Sequence, residues 1–411
     1  MKTRMVAAAA VIMAASAAQA AEPQSLQTAL TGTKPLLDLR LRTENVDQDG
    51  IPNDAHATTL RARLGFETGK AWKTSLLVEG EGVLPIQKDY RPDPTIPSMT
   101  AYPVVPDAEG YEINRFQLTN TSLPGTTLTL GRQRIALDDQ RFVGPVGWRQ
   151  NEQTFDALRV VNKSVKNLTI DATYFTKVNR VFGEDSPQGD YEGDSGLVNV
   201  AYQTGAGKIT AFNYLLDFEP IVGVPAAVRD STNTYGFRFA GEQPAEKGKL
   251  AYAFSVARQS DYADNPLNFS LDYVFAEAIA TLGRYSFGAG IEILEGDGAK
   301  GFTTPLATLH KFQGWADKFL ATPPNGIKDQ YVTGGISFKG VGGFETLSVT
   351  AAFHDYDAQR TSVEYGDELN LSVAAKFKKL NVLLKFADYQ QGQLASARDT
   401  QKVWGQVEFV W

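Results

Sequence analysis

Residues 60–67 read Leu-Arg-Ala-Arg-Leu-Gly-Phe-Glu, and this octapeptide decides the predicted fold. Its alternate side chains, beginning with Leu60, are apolar, whereas most of the side chains between them are charged. Because successive side chains of a β-strand point to opposite faces, the octapeptide predicts a strand with one apolar and one charged face. Similar alternation recurs in residues 39–42, 235–239 and 371–378. The chain is therefore predicted to be all-β.

The N-terminus has the form of a secretory signal peptide. Lys2 and Arg4 give a basic start, residues 5–15 form an alanine-rich apolar run, and residues 18–20 read Ala-Gln-Ala. This order of basic, apolar and small residues is typical of a cleaved signal. We therefore predict a signal peptide at residues 1–20 and a single exported domain at residues 21–411.

Composition excludes several classes of protein. The chain has 411 residues, a formal net charge of -7 and no cysteine. The lack of cysteine excludes disulfides, thiol nucleophiles and thiolate metal sites, and the acidic balance excludes a uniformly basic surface for nucleic acid. Beyond the signal, no apolar run reaches the roughly 18 residues of a membrane-spanning helix. A periplasmic, a secreted and an outer-membrane protein remain as alternatives.

Two features favour a transmembrane antiparallel up-and-down β-barrel over a soluble sandwich. The predicted connections alternate between short turns and long loops, of which residues 83–110 and 295–328 are the longest. Short periplasmic turns and long extracellular loops are typical of outer-membrane barrels. The chain also ends on Trp411, on the apolar face of the last predicted strand. Counting segments gives about 18 strands, an even number as such barrels require.

The lipid environment requires this sheet to be closed. In lipid every backbone amide needs a partner within the protein, so an open sheet edge cannot exist. A barrel of about 18 strands is too wide for wall side chains to fill, so it encloses an aqueous lumen unless loops enter it. Outer-membrane lipid is thus one predicted partner, and the barrel-assembly machinery, through the C-terminal strand, is another.

Alternation directs the charged face of the strands into the lumen, because an arginine facing lipid near mid-bilayer would cost about 2–4 kcal/mol. The basic residues predicted to line the lumen are Arg40, Arg42, Arg61, Arg63, Arg115, Arg238, Arg284, Lys376, Lys378 and Lys385. Carboxylates predicted on the same face are Glu44, Glu67, Glu79, Glu81, Glu292 and Glu408. Two interpretations stay open: the arginines bind an anionic substrate, or they pair with these carboxylates and stiffen the wall.

Three further segments carry a recognisable pattern. Residues 130–135 read Leu-Gly-Arg-Gln-Arg-Ile, and the motif continues with Asp-Asp-Gln-Arg-Phe at 138–142 and Trp-Arg-Gln-Asn at 148–151. Residues 304–320 form the second segment and residues 365–371 the third. Together they resemble the alginate-export family of bacterial outer-membrane porins.

The resemblance implies a porin whose Arg- and Lys-lined lumen passes alginate, or related anionic oligosaccharides and uronates, by diffusion. It implies these constriction residues: Arg132, Arg134, Asp138, Asp139, Arg141 and Arg149. The alternative is a porin for another solute, such as a small anion, a neutral sugar or an aromatic compound, in which the lumen charges are structural. Loops as long as the one holding residues 304–320 usually have a function, so we also hypothesise an inward-folded gate there.

One strand has an ambiguous phase. Leu130 and Arg132 fall on the same face by alternation, which conflicts with an apolar outer face and a charged lumen. A β-bulge at Gly131 would resolve the conflict, and so would the end of the strand at this point.

Two local motifs suggest other chemistry. Residues 193–196 read Gly-Asp-Ser-Gly, which resembles a fragment of a serine hydrolase, but no histidine that could act as the base is near Ser195 in sequence. We therefore predict that these residues form a loop turn and that the protein is not an enzyme. Residues 45–54 resemble a calcium loop with Asp47, Asp49 and Asn53 as ligands, although the closing bidentate glutamate is missing. A calcium site and a solvated acidic loop both remain open, and no cofactor is predicted.

Overall fold

The computed structural model describes residues 25–221 and 226–411, and the predicted signal at residues 1–20 lies outside them. The described part contains 18 β-strands. In the first half these are β1 Lys34–Gln48, β2 Ala55–Glu67, β3 Thr74–Asp89, β4 Gly110–Asn120, β5 Thr126–Gln133, β6 Thr154–Asn162, β7 Leu168–Asn179, β8 Asp190–Gln203 and β9 Lys208–Leu216. In the second half they are β10 Thr232–Ala245, β11 Gly248–Asp261, β12 Ser270–Leu282, β13 Tyr285–Leu294, β14 Ile327–Val341, β15 Phe344–Asp357, β16 Glu364–Phe377, β17 Leu380–Gln391 and β18 Thr400–Val410.

Helical structure is confined to short segments. The described residues contain two α-helices, α1 Leu26–Thr31 and α2 Ala226–Arg229, together with 3-10 turns at Pro97–Met99 and Leu309–Lys311. Within residues 25–221 and 226–411, no helix combines the length and the apolar character needed to cross a membrane.

The strands form one closed antiparallel sheet. Each strand pairs with its neighbours in sequence, and β18 pairs with β1 from Asp38↔Val410 to Gln48↔Thr400. This last pairing removes both sheet edges, as a sheet in lipid requires. The predicted all-β, up-and-down barrel of about 18 strands is therefore confirmed.

Burial along the strands is the inverse of that in a soluble sandwich. On β2, Arg61 and Arg63 are 0% and 4% exposed. Leu64, on the opposite face of the same strand, is 61% exposed. Alternation thus places apolar side chains on the outer surface and charged side chains inside, which is the arrangement that hydrocarbon around the barrel stabilises.

The two ends of the barrel differ in their connections. At one end the strands are joined by tight turns such as residues 283–284 and 342–343, where Gly283, Gly342 and Gly343 take positive φ as two-residue hairpins require. At the other end, residues 90–109, 134–153 and 295–326 form long loops. We call residues 134–153 loop A and residues 295–326 loop B.

Gly131 explains where loop A begins. Its φ is +111°, and a Cβ added there would lie 2.3 Å from the carbonyl oxygen of Phe116. The register of β5 with β4 and with β6 continues without a shift through Gly131, and β5 ends two residues later at Gln133. Neither predicted explanation is observed at Gly131 itself: no bulge occurs there, and the strand still includes Arg132, so Arg134 but not Arg132 lies beyond its end.

The largest apolar cluster of the described residues lies inside the barrel. Its loop members include Ile135, Leu137 and Val143 from loop A and Phe302, Leu306 and Phe319 from loop B. Its wall members include Phe155, Phe212, Tyr273, Tyr389 and Trp404. Burial of these side chains provides the driving force that holds both loops within the lumen.

Candidate functional site

Loops A and B join each other inside the lumen. Val143 and Leu306 form a parallel β-bridge, and the backbone N–H of Gly144 donates to the carbonyl of Leu306 at 2.9 Å. The amide of Gln153 donates to the carbonyls of Gly144 and Leu306 at 2.8 and 3.0 Å. Since these bonds satisfy backbone groups that water cannot reach, the two loops form one folded unit that narrows the lumen.

A row of arginines crosses the adjacent wall. Arg40 and Arg42 lie on β1 and Arg61 and Arg63 on β2, all buried and all directed inward, and Arg115 continues the row on β4. Alternation on neighbouring antiparallel strands places these side chains side by side, because residues that face each other across a pair point to the same face.

Each arginine of this row has a carboxylate partner. Arg40 pairs with Glu408 at 2.6 Å, and Arg61 pairs with Asp38 at 2.5 Å and with Glu408 at 3.2 Å. Arg115 pairs with Glu79 at 2.7 Å. Further along, Arg63 pairs with Glu81 and Glu152, and Arg42 lies 3.7 Å from Asp107. The positive charge of the row is thus matched by nearby negative charge.

Loop A covers this row of arginines. Arg40 donates to the carbonyls of Gly147 and Arg149 at 3.0 and 3.2 Å. The amide of Gln150 donates to the hydroxyl of Thr59 at 2.9 Å, and its backbone N–H donates to Asp107 at 3.0 Å. The guanidinium of Arg42 lies 4.0 Å from the ring centre of Trp148, also of loop A. A solute in the lumen therefore cannot reach Arg40 or Arg42 unless loop A moves.

The implied constriction residues are distributed among several contacts. On loop A, Arg134 pairs with Glu79 and Glu152, Arg141 with Glu292 at 2.6 Å, and Arg149 with Glu44 and Asp317 at 2.8 and 2.9 Å. Asp138 pairs with Lys208 at 2.7 Å and Asp139 with Arg238 at 2.9 Å, both on the wall. Arg132 differs, since its ion-pair partners are Asp156 on β6 and Glu184 in the loop after β7.

Three of the predicted lumen residues lie away from loops A and B: Arg284 and Lys378 are in turns, and Lys376 is on the wall at the far end of its strand. Arg284 is exposed in the turn between β12 and β13, and its guanidinium lies 5.1 Å from the ring centre of Tyr285. The prediction that it lines the lumen is wrong, because β12 ends at Leu282 and strand alternation does not extend into a turn. Lys376 is near the short-turn end of β16, half-exposed and 3.3 Å from Glu345, far along the strand from the loops.

The contacts that join both loops to the wall centre on Lys385 of β17, whose inward position the alternation predicted but whose partners it did not indicate. Its Nζ lies 3.8 Å from the ring centre of Trp315, 4.1 Å from that of Trp148 and 5.3 Å from that of Trp404. Trp148 belongs to loop A and Trp315 to loop B, and both occur in the family motifs quoted above. The presence of a tryptophan in each motif was the one sequence feature that could have indicated a contact between the two loops.

Asp317 is the charged centre of the same region. It accepts a hydrogen bond from His310 Nδ1 at 2.7 Å and pairs with Arg149 and Lys402 at 2.9 Å each. Burial would raise the pKa of Asp317, but His310, Lys402 and Arg149 together hold it well below its ordinary value. Burial, followed by the charge of Lys385, lowers the pKa of His310 well below its ordinary value. His310 is therefore neutral at neutral pH.

Neither alternative motif forms a recognisable site in the described part of the chain. Ser195 lies in β8, not in the predicted loop turn, and its Oγ accepts a hydrogen bond from the backbone N–H of Asp217 at 3.0 Å. Asp47, Asp49 and Asn53 are exposed around the connection from β1 to β2. Among the described residues, no group of three or more His, Asp or Glu side chains is arranged to hold a metal ion.

Comparison of the sequence with protein families identifies one relationship. Residues 103–266, which include β4, loop A and the strands through β11, match the family model described as "Alginate export". The resemblance to the alginate-export family is confirmed. No curated protein matches the chain in sequence.

Solved structures of Pseudomonas aeruginosa porins share the fold of this chain. OccK5 (OpdH) is 16% identical with a TM-score of 0.69, and the alignment covers 93% of this chain and 98% of that one. OpdQ is 20% identical with a TM-score of 0.67, covering 93% and 99%. OpdK, solved with vanillate, is 15% identical with a TM-score of 0.68, covering 93% and 99%. The chain thus has the fold of these outer-membrane porins.

Proposed function

We propose that this protein is an outer-membrane porin that passes small carboxylate-bearing solutes by diffusion through a lumen narrowed by loops A and B. The observation that carries the proposal is the closed barrel with both loops folded inside it. The two comparisons support the solute class, since alginate is a polyuronate and vanillate is an aromatic carboxylate. A carboxylate is the chemical group that the two have in common.

The size of the solute is limited by the packing of the two loops. They share a continuous apolar cluster with the wall, so widening the passage requires loop movement. A single sugar or aromatic ring needs less movement than a chain of linked sugars. This favours small solutes over polymer in the conformation described.

The basic residues best placed to attract a carboxylate are those that remain partly exposed. The side chains of Arg134 and Lys208 are 33% and 42% exposed, and Lys311 on loop B is exposed. The arginines of β1 and β2 are buried in ion pairs, which supports a structural role for them. We therefore propose that the partly exposed basic residues bind substrate. The buried arginines of β1 and β2 are proposed to support loop A.

The test is the ion selectivity of single channels in planar bilayers, measured from the reversal potential in a salt gradient. Arg134→Gln with Lys311→Gln should lower the preference for anions, because both charges face the lumen solution. Lys163→Gln, in the exposed turn between β6 and β7, is the control and should leave selectivity unchanged. If the double variant and the control have the same selectivity, the proposed attraction of carboxylates is wrong.

A second candidate is the passage of alginate or uronate oligomers, favoured by the family match over residues 103–266. Block of the single-channel current by uronate oligomers, but not by neutral glucans of equal length, is the expected result. Vanillate at the same concentration provides a one-ring comparison. Block by vanillate alone would exclude the oligomer and leave the small-solute proposal standing.

Placement in the outer membrane through a cleaved signal is part of the same proposal. The support is the Ala-Gln-Ala sequence at residues 18–20 and the apolar outer surface of the barrel. N-terminal sequencing of protein from isolated outer membranes should begin at Ala21. Recovery of residues 1–20 in the membrane-embedded protein would contradict it.

A further inference from the structure

Lys385 is a buried cation with an unusual set of partners. It faces inward from β17 and is 8% exposed. The rings of Trp148, Trp315 and Trp404 surround its Nζ at 3.8 to 5.3 Å from their centres. These three tryptophans come from loop A, loop B and β18, so one ammonium group contacts all three parts of the structure.

Aromatic rings provide part of the compensation for this charge, and the carboxylates of Asp317 and Glu44 act from beyond ion-pair distance. The ion pairs within 4.0 Å that join described residues include Lys402 with Asp317 but none of Lys385. Its polar contact is Nε2 of His310, at 2.7 Å. A buried ammonium is costly unless its charge is compensated, and the faces of tryptophan rings attract cations more strongly than those of other aromatic side chains. The charge therefore favours the arrangement that keeps the three rings together.

The same rings also bind the loops to one another. His310 of loop B stacks on Trp148 of loop A, with ring centres 4.2 Å apart and planes 3° from parallel. The guanidinium of Arg42, on the wall, lies 4.0 Å from the ring centre of Trp148. Moving either loop away from the wall would separate these rings and expose the ammonium to a different environment.

We propose that Lys385, Trp148, Trp315 and Trp404 form a latch that keeps loops A and B against the wall, and that the lumen widens when the ammonium leaves the rings. The widening rests on the proposed porin function, but the latch itself does not. Opening of the latch would uncover Arg40 and Arg42 of β1, since both contact loop A in the closed arrangement.

An alternative explanation is that the side chain of Lys385 only fills space among the rings. Lys385→Met separates the two explanations, because methionine has a similar length and shape but no charge. Lys385→Arg keeps the charge and can stack on tryptophan. If the charge matters, the methionine variant loses the latch and the arginine variant recovers it.

The first measurement tests the latch without requiring a channel. Acrylamide quenching of tryptophan fluorescence is measured in detergent, with Trp72 and Trp411, which lie outside the latch, replaced by phenylalanine in every sample. Lys385→Met should raise the quenching constant at least twofold, and Lys385→Arg should return it towards the original value. Lys163→Met, which removes an exposed lysine from the turn between β6 and β7, is the control. Equal quenching in the methionine variant and the control would overturn the latch.

The second measurement is the single-channel conductance of the same proteins. Lys385→Met should conduct at least twofold more than the unsubstituted protein, with frequent current steps, while Lys385→Arg should not. A change in quenching without any ionic current would leave the latch standing and refute the porin function. Normal current with unchanged quenching would refute the latch alone. Folding of each variant is verified by its heat-dependent mobility in gels, and a methionine variant that cannot fold while the arginine variant folds also supports a need for the charge.

Discussion

At the scale of single residues, surroundings decide the role of a charge. Arg61 and Lys208 are both basic residues on inward-facing positions of strands, yet Arg61 is fully buried between Asp38 and Glu408 whereas Lys208 is 42% exposed beside Asp138. A buried charge that loses its partner is costly, whereas an exposed pair contributes little. The two residues should therefore respond differently to substitution.

Arg61→Ala is predicted to destabilise the barrel by about 3 kcal/mol, the lower end of the range for breaking a buried ion pair. The reason is that Asp38 and Glu408 would face each other without the guanidinium between them. Lys208→Ala should cost less than about 1 kcal/mol. The free energy of unfolding in lipid vesicles, obtained from urea titrations, checks both. Equal effects of the two substitutions would show that the pairing around Arg61 contributes no stability.

His310 is predicted to make the closed arrangement sensitive to pH. Its pKa is lowered because it is buried and faces Lys385 from β17 and Arg149 from loop A, although Asp317 on its own loop opposes this shift. The closed state then binds fewer protons than an open state in which His310 has its ordinary pKa of 6.5. The stability of the closed state is complete above pH 6.5 and falls by about 1.4 kcal/mol per pH unit below it.

Acidification from pH 7.5 to pH 5 should therefore increase the frequency of open-channel steps in planar bilayers. His310→Asn removes the titrating ring and should make this frequency nearly independent of pH over the same interval. Asp317 does not contribute in this interval, because its pKa is also lowered and its effect would begin only in more acidic solution. The same pH response with asparagine as with histidine would assign the effect to another group.

At the scale of elements, the end of a strand decides where a loop goes. β5 has 8 residues, whereas β3 and β14 have 16 and 15, and the early end of β5 sends loop A into the lumen. Loop B follows β13, which has 10 residues, and meets loop A at Leu306. The inward position of both loops is thus set jointly by strand length and by the apolar cluster between them.

Gly131→Ala is predicted to disturb the end of β5, from which loop A enters the lumen. Alanine disfavours a φ of +111°, and its Cβ would lie 2.3 Å from the carbonyl oxygen of Phe116. A cost of about 1–3 kcal/mol is expected for holding a non-glycine residue in such a conformation. Gly110→Ala, at a position where an added Cβ meets nothing within 4 Å, is the control. Gly131→Ala should unfold at a lower urea concentration than Gly110→Ala. Equal unfolding midpoints would show that the end of β5 tolerates a side chain at residue 131.

Replacement of residues 304–320 by a short Gly-Ser linker tests the gate predicted from the sequence. The segment contributes Leu306, His310 and Trp315 to contacts with loop A and the wall. Its removal should raise the single-channel conductance several-fold and weaken any block by solutes. Unchanged conductance would mean that this segment does not narrow the passage.

At the scale of the whole molecule, closure depends on the pairing of β1 with β18. Leu41 lies directly opposite Val407, and both side chains are exposed on the outer surface. The absence of natural cysteine makes the pairing directly testable. Leu41→Cys with Val407→Cys should form a disulfide on oxidation, since opposite residues on antiparallel strands have Cβ atoms about 4.5–5.5 Å apart. Leu41→Cys with Val403→Cys is the control, because Val403 pairs with Asn45 and should not be linked.

The sequence by itself determined the wall of this protein. In residues 60–67 the alternation of Leu and Arg determined both the strand and its orientation, because lipid outside and water inside leave only one way to place the two faces. The strand count and the inward positions of Arg40, Arg42, Arg61 and Arg63 followed from the same local pattern. The prediction for Arg284 was wrong because this residue lies in a turn, where side chains do not alternate between two faces.

Only the tertiary structure decided the contents of the lumen. The residues that meet there are far apart in the chain, and each belongs to a different strand or loop: Arg42 to β1, Trp148 to loop A, Asp317 to loop B, Lys385 to β17 and Trp404 to β18. Their meeting depends on barrel closure and on how loops A and B pack, which are long-range properties that no periodicity encodes. For that physical reason the sequence could predict a charged wall, but it could not predict that loop A covers it or that one lysine joins both loops to it.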